Sequence, residues 1–83
     1  MTNLGEMIAA KAFMRGYSLT AFTQEINRTK TIGYVLTTPD ILIALESEDF
    51  NVPFLKASMK VLGITVSDIF YELCKDLGAK VEL

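Results

Sequence analysis

Apolar residues recur at helical spacing along most of the chain, and glycine, proline and hydroxyl residues divide them into segments. Leu4, Ile8 and Ala12 fall on one face of a first segment, Leu4 to Arg15, which Met7, Ala9 and Phe13 widen. Glu6 near its start and Lys11 and Arg15 near its end suit the helix dipole, and Gly16 ends it. Ser18 offers a hydroxyl cap to a second helix with Leu19, Phe22 and Ile26 inward and Thr20, Thr23, Gln24 and Glu25 toward water. Asn27 is placed to end this helix, because asparagine tolerates the left-handed conformation.

The clearest punctuation lies between Thr38 and Leu73. Thr38 reads as a cap and Pro39 as the first helical residue, whose missing N–H costs nothing there, with Asp40 adding negative charge to the first turn. Ile41, Leu42 and Leu45 form the inward stripe of this third helix, and ESEDFN reads as a connector. A fourth helix runs from Val52-Pro53 to Leu62, with Phe54, Leu55, Met59, Val61 and Leu62 apolar and Lys56 and Lys60 outside. Gly63 stops it, and Ile64 folds back on its last turn. Thr65 and Asp68 make an approximate capping box for a fifth helix. Its stripe is Val66, Ile69, Phe70, Leu73, Cys74 and Leu77, opposite Ser67, Asp68, Glu72, Lys75 and Asp76. That stripe predicts a buried Phe70, whose truncation to alanine costs about 3–5 kcal/mol, and a Cys74 shielded from thiol reagents.

Arg28 to Thr37, RTKTIGYVLT, departs from the helical pattern. Ile32, Tyr34 and Leu36 alternate with Gly33 and Val35 among β-branched and aromatic residues, which predicts extended structure or a short hairpin. A second register makes Thr29 to Leu36 helical and Thr38 to Glu48 an additional helix. The Thr38-Pro39 cap favours the first register, and a mid-helix Gly33 would cost roughly 1 kcal/mol. The expectation is one all-α domain over residues 1–83, with its core at 4–77 and a tail at 78–83 that is frayed or a weakly pairing strand.

Composition narrows the chemistry. Hydrophobic residues make up 51% of the 83 and charged residues 22%, which excludes a disordered chain. No apolar run approaches the roughly 20 residues that span a bilayer, and Met1, Thr2 and Asn3 do not open a signal peptide. A single cysteine forms no internal disulfide, so a cytoplasmic location is expected. The chain has no histidine and no glycine-rich phosphate loop, which argues against an enzyme; no cofactor and no metal site are expected. Glu46, Glu48 and Asp49 cluster without calcium-loop spacing and read as a solvated helix end. The net charge of −2, eight basic residues against ten acidic, runs against the basic balance usual in nucleic-acid binders.

A family resemblance then becomes visible. KVLGITVSDIF, from Lys60 to Phe70, is similar to the closing segment of phage-repressor type (Cro- and XRE-like) helix-turn-helix domains, in which a helix ending Leu-Gly-hydrophobic precedes a Ser- or Thr-led one. Leu45-Glu46 matches the end of that family's recognition helix, LGEMI at Leu4 to Ile8 its opening, and Tyr17-Ser18 with Phe22 and Ile26 its second helix. The resemblance spans roughly Leu4 to Leu73. It implies a five-helix repressor-like domain and a DNA-binding transcriptional regulator that forms a homodimer on double-stranded DNA; where the family joins its second and third helices by a tight turn, this chain has an insertion.

On that reading Arg28, Thr29, Lys30 and Thr31 contact phosphates, since threonine hydroxyls and basic side chains commonly do so. Thr38 opens the recognition helix, and Asp40, Ile43, Ala44 and Ser47 face outward from it. The chain departs from the family in two places. None of these outward residues makes the bidentate base contacts of Arg, Asn or Gln, and Leu19 stands where the family often has glutamine. Ile43 and Ala44 suit thymine methyls or, in the alternative reading, a protein partner on the same fold that has lost sequence-specific DNA binding. Tyr17, Tyr34 and Tyr71 suit interface anchors or, the favoured role for each, partly buried packing.

Overall fold

The computed structural model describes residues 2–47 and 51–81, with side chains described as far as residue 78. They form five helices: α1 Asn3–Met14, α2 Leu19–Arg28, α3 Thr38–Glu46, α4 Val52–Leu62 and α5 Val66–Val81. Among the described residues there is no strand. The fold is all-α. The middle of the ESEDFN connector, with Glu48 and Asp49, lies outside the described residues.

The first four helices contribute their apolar faces to one core, and α5 packs Ile69 against it. Leu4, Ile8 and Ala12 come from α1, Phe22 and Ile26 from α2, Ile41 and Leu45 from α3, and Phe54, Ala57 and Leu62 from α4. Leu36 from the α2–α3 connection and Ile64 from the α4–α5 turn complete it. Full burial of one such aliphatic or aromatic side chain stabilises the fold by roughly 1.5–3 kcal/mol. α1 packs against α5, α3 and α4, while α2 packs against α4 and α3.

The helix ends are set by local chemistry. Gly63 takes φ 67° at the end of α4, a left-handed conformation that glycine adopts without a Cβ clash. Thr65 and Asp68 form a reciprocal capping box: Thr65 N–H donates to Asp68 Oδ2 (3.2 Å) and Asp68 N–H to Thr65 Oγ1 (3.1 Å). Asn51 caps α4 by accepting from Phe54 N–H at 3.0 Å. α1 combines a local cap with a distant one. Thr2 accepts from Gly5 N–H through its hydroxyl (2.9 Å) and from Glu6 N–H through its carbonyl (2.9 Å). Asp76 of α5 accepts from Asn3 and Leu4 N–H at 2.8 and 3.2 Å. The open N–H groups of Asn3, Leu4 and Gly5 are thus all bonded, and Glu6 N–H makes the first regular helical bond. Asp76 meets the start of α1 while Asp68 feels the charge of Lys11, so the two helices run antiparallel.

Several positions differ from the pattern-based expectation. Thr37, not Thr38, caps α3; Thr38 and Pro39 are its first two helical residues. Thr23 is buried, because its hydroxyl donates to the Leu19 carbonyl at 2.8 Å and so needs no water. Leu42 and Phe13 are exposed. α2 runs past Asn27 to Arg28, and the left-handed residue is Lys30, at φ 55°. Residues 78–81 continue α5 and are neither a strand nor outside the helix.

The largest difference is the orientation of α5. Asp76 points at α1, and Ile69 and Leu73, two turns and one turn before it, are half-buried beside it. A helix turned that way sends Val66, Phe70, Cys74 and Leu77 outward, and all four are exposed. The broad stripe is really two narrow ones, of which only Ile69 and Leu73 face inward.

Candidate functional site

The residues expected to act lie on the α2–α3 connection and on α3. Residues 29–37 are turns and bends held by one side chain of α2. Asn27 accepts from Leu36 N–H through Oδ1 (2.8 Å) and donates to the Leu36 carbonyl through Nδ2 (2.9 Å). That pair of bonds is what a neighbouring strand would give Leu36. The segment therefore satisfies its β-rich composition without a hairpin.

Two of the four phosphate-contact candidates, Arg28 and Thr29, have side-chain partners within the chain. Arg28 Nη1 sits 2.7 Å from Glu25 Oε1, one turn back on the surface of α2. Thr29 donates its hydroxyl to the Ile26 carbonyl at 2.7 Å and accepts weakly from Thr31 N–H at 3.3 Å. Thr31 is half-buried, and its hydroxyl oxygen is buried with no hydrogen-bond partner. Lys30 is exposed. Lys11 and Arg15 belong to another part of the molecule, the α4–α5 turn. Lys11 acts on Asp68 there, and a methyl group at Gly63 would come within 3.1 Å of Arg15 Nη2.

On α3 the capping chemistry absorbs much of the first turn. Asp40 Oδ2 accepts from Thr37 N–H (2.8 Å) and from the Thr37 hydroxyl (2.9 Å), and Asp40 N–H points back at Thr37 Oγ1 (3.4 Å). These bonds hold the Asp40 carboxyl below its ordinary pKa, the backbone bond contributing most; Asp68 is lowered in the same way by Thr65. Thr38 is half-buried. Ala44, expected outward, is half-buried against the core because it falls one turn after Asp40 on the inner shoulder of the helix. Ser47 caps the C-terminus of α3, its N–H donating to the Ile43 carbonyl at 2.9 Å. Of the expected contact residues on α3, Ile43 alone presents most of its side chain, 66% exposed, and Leu42 beside it is 42% exposed.

A groove of about 200 Å³ runs along this edge, lined by Tyr34 and Leu36 of the connection, Asp40, Ile43 and Ala44 of α3, and Phe54 of α4. Its floor is apolar and its rim mixed. Among the described residues no three carboxylate or thiol side chains converge into a metal-binding group, and no helix is long and apolar enough to cross a membrane. No family model, no curated protein and no solved structure matches the chain significantly.

Pattern reading missed two features of the surface. Leu42 and the exposed Tyr34 add apolar area around Ile43. The outward residues of α5 were assigned to the core. The alternation of Tyr34 with its neighbours pointed toward the first; the helical spacing of Phe70, Cys74 and Leu77 is compatible with either side of α5, so no sequence signal identified the second.

Proposed function

We propose that the chain is a non-catalytic binding domain on a repressor-like helix-turn-helix frame, and that the α3 face binds a protein. One observation carries this reading: the outer face of α3 consists of Pro39, Leu42, Ile43 and Glu46, with no Arg, Lys, Asn or Gln between Thr38 and Ser47. Reading base edges in the major groove requires donors and acceptors on long side chains, and discrimination comes from bidentate pairs. Exposed aliphatic residues beside an apolar groove suit a protein segment instead. The nine residues between α2 and α3 support the same reading, because a helix-turn-helix normally joins its two helices by a turn of about 3–4 residues. The order of five helices, the Leu62-Gly63 ending of α4 and the position of Leu45-Glu46 at the end of α3 support the repressor-like frame. A cytoplasmic setting goes with it, since the lone exposed thiol of Cys74 has no disulfide partner within the chain.

A second reading, a DNA-binding transcriptional regulator, is favoured by the surface position of Arg28 and Lys30 next to the connection. Titrating the protein with randomised duplex DNA at low salt separates the two. The protein-binding reading expects no saturable association. The regulator reading expects binding that weakens as salt rises, with a logarithmic salt slope shallower by about two units when Arg28 and Lys30 are both neutralised.

A further inference from the structure

The groove beside α3 is small for a free ligand and the right size for a side chain. Its volume is about 200 Å³, below the ~300 Å³ at which small-molecule pockets begin. Leu36, Ala44 and Phe54 make it apolar, and Tyr34 and Ile43, each 66% exposed, line it as well. Past Ser47 and Asn51 it narrows into a cleft of about 20 Å³ that reaches Thr2 and Leu4 of α1. A protein segment can lie along such a groove and lower one apolar residue into it.

The charge around this groove has one sign. Between Thr31 and Leu55 the sequence has four acidic residues and no lysine or arginine. Two of the four, Asp40 and Glu46, fall on α3 one turn before and one turn after Ile43. Among the described residues neither forms an ion pair. Asp40 uses one carboxyl oxygen, Oδ2, on Thr37, and no hydrogen bond among the described residues occupies Oδ1. The Thr37 bonds also hold this carboxyl below its ordinary pKa, so it is ionised at neutral pH. Asn51 accepts from Phe54 N–H through its own Oδ1, which leaves its Nδ2 donors for a backbone carbonyl.

We infer, on the reading of the α3 face as a protein-binding surface, that the groove takes a basic segment of a partner protein: an apolar side chain flanked by two cations. The apolar residue sits beside Ile43, and the cations meet Asp40 and Glu46. The two carboxylates are six residues apart on α3, roughly 9 Å along the helix axis. Lysines or arginines at a matching separation reach both while the residue between them enters the groove. An uncharged apolar segment would cover both carboxylates without a counter-charge, and an acidic segment or a phosphate backbone would add like charges. Exposed ion pairs add little affinity each. The apolar contact therefore supplies most of the affinity, and the carboxylates reject the wrong partners.

Selection from a displayed library of randomised short peptides, with the full chain as bait, tests this. The peptides retained should combine leucine, isoleucine or phenylalanine with lysine or arginine on both sides. One of them, synthesised with a fluorescent label, should bind about tenfold more weakly to Ile43→Ser and about threefold more weakly to Glu46→Gln. Its affinity should also fall as salt rises. Glu46 is exposed and stands outside the N-terminal cap of α3, so Glu46→Gln isolates the charge without disturbing the fold. Asp40→Asn, checked for unchanged helical circular dichroism, should bring a similar loss. Retained peptides that need Ile43 but bind Glu46→Gln and Asp40→Asn as tightly as the parent overturn the charge selection and leave the protein-binding reading standing. Cationic peptides indifferent to Ile43→Ser bind elsewhere and overturn the inference too. A selection that retains no Ile43-dependent peptide overturns both the inference and the reading beneath it.

Discussion

Asn27 anchors the α2–α3 connection through two hydrogen bonds to Leu36, nine residues away, and thereby brings Leu36 into the core. The sequence offered Asn27 only as a helix terminator, because local spacing says nothing about a contact across a loop. Removing both bonds leaves the Leu36 N–H and carbonyl unpaired in a partly buried site, a loss of about 1–3 kcal/mol. Asn27→Ala should therefore lower the free energy of unfolding by that amount in urea, and the Leu36 amide should exchange faster with solvent. An unchanged stability would mean that the connection is held by something else. The capping residues Thr37, Asp40, Thr65 and Asp68 behave differently, since each acts within three residues of its partner. That locality is why all but the one-residue offset at Thr37 was legible in advance.

At the scale of elements, the five helices and their order could be read because each combines a short apolar period with its own start and stop signals. The orientation of α5 could not. Its two overlapping stripes are equally apolar, and the choice between them depends on Asp76 reaching the first turn of α1, more than seventy residues earlier in the chain. The structure divides two phenylalanines that the pattern treats alike. Phe22 is enclosed by the core and packs near Tyr17 with ring centres 6.4 Å apart, whereas Phe70 faces outward. Phe22→Ala should cost about 3–5 kcal/mol and leave a domain of this size largely unfolded. Phe70→Ala, measured at a dilution where the chain is monomeric, should cost less than about 1 kcal/mol. Thermal melts of the two variants side by side check this, and equal losses would place Phe70 back in the core.

Over the whole molecule, the surface is apolar where function was sought and acidic in total. The cations whose clustering would favour DNA are divided: Lys11 and Arg15 stand at the α4–α5 turn, and Arg28 is engaged by Glu25. What the surface offers instead is two uncovered apolar faces, one on α3 around Ile43 and one on α5 around Phe70. The second of them turns the apolar stripe of α5 away from the core. The native labelling rate of Cys74, the chain's single cysteine, tests it most directly. In dilute solution an uncharged thiol reagent should modify Cys74 about as fast in the native state as in denaturant. A thiol that is protected in the native state would contradict this orientation of α5 by placing Cys74 in the core.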